Sequence, residues 1–96
     1  MEQIEIKRFL LNKGIHAHLK GFDYLARALE MCQEHKYYIR ELTKSLYPEL
    51  GKEFGDSPTQ AERAMRHALS SFPKHIKIGE FLALSLIEME ECKCLK

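Results

Sequence analysis

Residues 57–72, SPTQAERAMRHALSSF, concentrate the side chains of this chain best suited to bonding another molecule. Wound as a helix at about 100° per residue, Ala61, Met65, Ala68 and Phe72 fall within about 40° of one line, with Ala64 and Leu69 on its flanks. That is a face to bury, and its alanines let a second helix approach closely. Thr59, Gln60, Arg63, Arg66, His67 and Ser70 fill the opposite arc, with Glu62 at its margin. Such side chains can read bases: arginine bonds guanine O6 and N7 in parallel, glutamine does so to adenine N6 and N7, and glutamate accepts from cytosine N4. The N-terminus of such a helix also offers unpaired N–H groups to a phosphate. A merely solvated face has the same composition. DNA reading is favoured by the combination of a capped start, a glycine turn ahead of it, small residues behind, and one acid among the bases.

Other chemistry finds less support. Glu62 and His67 are five positions apart, about 140° around a helix, so they form no acid–base pair on one face. No nucleophile motif, glycine-rich phosphate loop or paired carboxylate cluster occurs, and no enzymatic activity or cofactor is expected. His16-Ala-His18 and Cys92-Lys-Cys94 lack the pair spacing of a structural zinc site, so no metal is expected either. Tyr24, Tyr37, Tyr38, Tyr47 and the five phenylalanines read as packing groups rather than a base-stacking platform.

Glycine and proline divide the chain into about five helical segments, and no strand pair or internal repeat is evident. The first runs from about Gln3 to Lys13 and stops at Gly14, a C′ residue. The second, FDYLARALEMCQEH, places Leu25, Ala28, Leu29 and Cys32 at amphipathic spacing, with Gly21 and Asp23 at its start. The third, IRELTKSLYPELGKEF, carries Pro48, which predicts a kink or a fresh helix start before the turn at Gly55-Asp56. In the fourth, Ser57 is an N-cap, Pro58 suits the first helical position, and Gln60 stands at the capping-box position; Pro73 ends it. The last runs from about Gly79 to Cys92 and is apolar on nearly every side over 81–87, so it is expected to be buried. The predicted fold is all-α: a compact bundle of about five helices containing a helix-turn-helix over about 40–72.

Ninety-six residues suit a single domain. No apolar run nears the roughly 20 residues of a membrane span, and MEQIEIKRFL has no signal-peptide pattern. Three cysteines without framework spacing fit a reducing compartment, so a cytoplasmic protein is expected. The formal net charge is +1, but residues 57–77 hold four cations against one acid, a local +3, while residues 80–96 hold four acids against two lysines, a local −2. A basic patch attracts a polyanion even on a nearly neutral chain.

Three segments in order, GIHAHLKGFDYLARALEM, LTKSLYPELGKEF and QAERAMRHAL, resemble the C-terminal effector domain of the stage-zero sporulation master regulator of endospore-forming Firmicutes. The resemblance covers roughly Ile4 to Leu69 and, more weakly, GEFLAL at 79–84. It implies a transcription regulator whose recognition helix reads a TGTCGAA-like box in the major groove. On that resemblance Glu62 and Arg63 match the base-reading pair, and Arg66 and His67 the arginine-histidine at the backbone or groove edge. His18 and Lys20 match the loop ahead of the second helix, and Lys44 a lysine near the start of the third. Gln60 stands where the family commonly has arginine, which changes one base contact. The family's long stretch before its last helix is reduced here to SSFPKHIKI, which argues against RNA polymerase contact. A phosphoacceptor receiver domain is not expected within these residues, which leaves an excised domain or a stand-alone protein.

The expectation is therefore sequence-specific binding of double-stranded DNA. Gln60, Glu62 and Arg63 face bases; His18, Lys20, Lys44, Ser57, Thr59, Arg66 and His67 face phosphates or the groove edge. Two copies could pair on tandem or paired sites as a homodimer. The alternative is an interaction or dimerisation module built on FLALSLIEMEE at 81–91, with a vestigial helix-turn-helix. Against that alternative, those apolar residues are needed for the core of so small a domain.

Overall fold

The computed structural model describes residues 2–70 and 76–94, with side chains through residue 91. All regular elements among the described residues are helical: α1 (Gln3–Asn12), α2 (Lys20–Glu34), a 3-10 turn (Lys36–Ile39), a π turn (Leu42–Leu46), α3 (Tyr47–Phe54), α4 (Pro58–Leu69) and α5 (Ile78–Cys94). The all-α expectation with five helices is met. The Cα radius of gyration, 12.4 Å, is what a compact chain of this length should have, about 12.5 Å.

Helix α2 is the hub, packing against α1, α3, α4, α5 and the 3-10 turn. Its periodic residues Leu25, Ala28, Leu29 and Cys32 are fully buried, together with Tyr24 and Ala26. Burial pushes the Cys32 thiol up to about 11, because the thiolate would lose its hydration. Ile6 and Leu10 anchor α1 to this core. That helix ends at Asn12 with Lys13 as its C-cap, and Gly14 follows at φ 90°.

Helix α2 begins at Lys20, two residues earlier than its apolar period predicts, so Lys20 lies on the helix rather than in a loop. Gly21 lies in this first turn. A Cβ there would overlap the Ala64 carbonyl oxygen and stand 2.7 Å from the Ala68 Cβ, so only glycine lets α2 cross α4 this closely. The third segment is also resolved physically. Pro48 has no N–H for the Lys44 carbonyl, and the preceding turn widens to π geometry, with Leu46 N–H donating to the Glu41 carbonyl at 3.2 Å. Pro48 then occupies the first turn of α3. The path continues into α3 with a changed bonding pattern, the fresh helix start of the two expected alternatives.

Helix α3 closes on Gly55 in the left-handed region (φ 74°), and Asp56 N–H donates to the Gly51 carbonyl at 2.7 Å. Helix α4 buries Ala61, Met65, Ala68 and Leu69, while Phe72 and the terminating Pro73 lie outside the described residues. Helix α5 buries Ile78, Phe81, Leu82, Leu86 and Met89, so most of its apolar surface completes the domain's own core. Leu84 and Ile87 are the exceptions, 51% and 55% exposed.

Candidate nucleic-acid interface

The start of α4 is built as its residue types require. Ser57 Oγ accepts the Gln60 N–H at 3.1 Å, and Gln60 Oε1 accepts the Ser57 N–H at 2.8 Å, a reciprocal capping box. Both side chains are thus engaged at their oxygens, while the Gln60 amide nitrogen and the exposed Thr59 hydroxyl make no hydrogen bond among the described residues. One turn on, Arg63 is exposed and has no bonded partner among the described residues. His67 is exposed; its carbonyl accepts Ser70 N–H at 3.1 Å and Ser70 Oγ at 2.5 Å.

Glu62 and Arg66 behave differently from the rest of the arc. They form an i,i+4 ion pair, with Arg66 68% exposed and Glu62 only 24%. Glu62 leans toward α3, where burial and then the Glu62 charge push the Tyr47 hydroxyl up to about 12. The residue at the margin of the polar arc is therefore already occupied, and its carboxylate faces a base only by leaving Arg66 or carrying it along.

Beside the start of α4 stands a cluster made by distant residues. The Asp56 carboxylate accepts the hydroxyl of fully buried Tyr24 and pairs with Lys20 Nζ at 2.5 Å. Lys20 and then Tyr24 hold the Asp56 carboxyl below its ordinary range. Burial and this bond to Asp56 raise the Tyr24 hydroxyl. Phe54 packs edge-on against the Tyr24 ring at 4.3 Å, tying the end of α3 into the same cluster. Lys20 is thus brought to the turn of the helix-turn-helix, but as a paired cation. His18 is exposed, its ring 5.7 Å from that of His16. Lys44 is exposed on the π turn, at the opposite end of α3 from the Gly55 turn. It lines an open depression of about 430 Å³ with Ile39, Arg40, Glu41, Leu42 and Thr43. The structure therefore groups Thr59, Gln60, Arg63, Arg66 and His67 on α4, adds Lys20 at their N-terminal end, and places Lys44 on the π turn ahead of α3.

Two helices joined through a left-handed glycine, the second capped and laid across α2 on an alanine face, form a helix-turn-helix. A family model described as the C terminal of sporulation initiation factor Spo0A matches residues 6–93. The chain belongs to that family. The Spo0A C-terminal domain is the DNA-binding domain of that sporulation factor and regulatory rather than enzymatic. The match extends through α5, beyond the stretch over which the resemblance is strong in sequence. The residues of the cluster beside the start of α4 that sequence reading did not single out are Asp56 and Tyr24. Asp56 reads as a turn former and Tyr24 as core, although a buried tyrosine hydroxyl usually finds a hydrogen-bond partner, and that was the available signal. Among the described residues no group of three or more His, Cys, Asp or Glu side chains converges as metal ligands would. No helix of the described residues is long and apolar enough to cross a membrane. The side chains of Cys92 and Cys94 lie outside the described residues.

Proposed function

We propose that this chain binds double-stranded DNA sequence-specifically, with α4 entering the major groove, and regulates transcription in the manner of its family. The observation that carries the reading is the outer arc of α4, where exposed Thr59, Arg63, Arg66 and His67 stand on a helix fixed at its start by Ser57 and Gln60 and at its back by Gly21. Arg63, unpaired among the described residues, is the principal base reader. The Gln60 amide nitrogen and Glu62 complete the base contacts, Glu62 after exchanging Arg66. Phosphates are met by Ser57, Thr59, Arg66, His67, His18 and, from the π turn, Lys44, while Lys20 stands at the turn paired to Asp56.

Fluorescence anisotropy against a duplex carrying a TGTCGAA-like box and a scrambled duplex, across a salt series, tests this. The expected result is preference for the box with affinity falling steeply in salt. Absence of binding to either duplex at low salt overturns it. Pairing of two copies is a second reading, favoured by Leu84 and Ile87 half-exposed on one side of α5. Sedimentation of the free protein and of the DNA complex measures it.

A further inference from the structure

Asp56 stands immediately before the Ser57 cap, takes no part in the capping box, and holds two partners of opposite character. Tyr24 is fully buried, and its hydroxyl fixes the carboxylate in place. The Lys20 side chain is 63% exposed, against 14% for Asp56. The carboxylate is the fixed member of the ion pair, and the ammonium is the one free to leave. Its pairing with Asp56 places that ammonium at the turn from which α4 emerges, next to the exposed Ser57 and Thr59. Exposed ion pairs are weak, and a phosphate is a direct competitor for the same cation.

Resting on the DNA-binding reading, we propose that Asp56 is a specificity-determining residue that acts by withholding Lys20 from the DNA backbone. Its carboxylate competes with phosphate for one ammonium. That lowers the sequence-independent part of the affinity and leaves base contacts to decide where the protein stays. Tyr24 is the positioning residue of the device, since it aims the carboxylate at Lys20 and holds it off the helix end.

The test is a cycle of Asp56→Asn, Lys20→Met and the double variant, each measured for box and scrambled duplexes over a salt series and for thermal stability. Asparagine keeps an oxygen for the Tyr24 hydroxyl while releasing Lys20. Asp56→Asn is expected to steepen the slope of log affinity against log salt by about 0.9, the value for one additional phosphate contact. Affinity for the scrambled duplex should rise several-fold and the ratio between duplexes should fall. Lys20→Met should remove that extra slope in the Asp56→Asn background and change the slope much less in the wild type. An Asp56→Asn protein with the wild-type slope, or a gain that survives Lys20→Met, overturns the assignment while leaving box preference intact. Should Asp56→Asn fail to fold, Lys20→Met alone decides: a full unit lost from the wild-type slope would mean that Lys20 already serves the backbone. A wild type that binds neither duplex overturns the underlying DNA reading and this inference with it.

Discussion

Arg63 and Lys44 carry the same charge in different settings, and the difference predicts different losses. Arg63 projects from the middle of the α4 arc, so Arg63→Ala is expected to cost about 1–3 kcal/mol on the best site and to blur its preference. Lys44 lies on the π turn among Arg40, Glu41 and Thr43, off the α4 arc itself. Its loss should weaken all duplexes nearly equally and reduce the salt slope by about 0.9. Parallel titrations of both variants against box and scrambled DNA check the contrast. Acid sensitivity also belongs to single residues. Arg27 grips Glu53 through two bonds, Nε to Oε2 at 2.8 Å and Nη2 to Oε1 at 2.9 Å, and lowers its pKa from the ordinary 4.5. Asp56 is lowered from 3.8 by Lys20 and Tyr24. A carboxyl depressed in the folded state adds stability above its unfolded pKa, and that stability disappears as the pH falls through the folded value. Resistance to urea unfolding should therefore fall from about pH 4.5 downward, and Glu53→Gln should flatten part of that decline.

At the scale of elements, the junctions between helices decide whether the arc is presented correctly. Gly21→Ala places a methyl against the Ala64 carbonyl oxygen, which is backbone and cannot rotate away. The two helices must separate, costing at least about 1–3 kcal/mol and shifting α4 relative to α2, so thermal unfolding and box affinity should both fall. Ser57→Ala removes only the acceptor for Gln60 N–H and should cost about 1 kcal/mol, whereas Ser57→Gly should cost a few tenths. Chemical denaturation separates the two. The capped start of α4, the Gly55 turn and the helical periods of α1 and α2 are legible in sequence because each is decided by residues within a few positions. The π turn is not, since a search for 3.6-residue periodicity assumes the bonding pattern that Pro48 breaks. Nor is the early start of α2, where Gly21 looks like a helix breaker until its contact with Ala64 is seen.

The whole molecule explains why the site was harder to foresee than the fold. Fold class follows from composition and local punctuation, but Lys20 and Asp56 are far apart in sequence and meet only because α2 lies across α4. Glu62, by contrast, is engaged locally by its i,i+4 neighbour Arg66, and what the fold adds is Tyr47 of α3 beside the pair. One core, centred on α2, supports every one of these contacts. Cys32 sits fully buried in it, its thiol held protonated. An alkylating reagent can then reach that sulfur only when the core opens, so this atom is a built-in clock for cooperative opening. Peptide-resolved labelling at Cys32 should be slow in the free protein. Saturating box DNA should slow it further, in proportion to the free energy that binding adds to the native state.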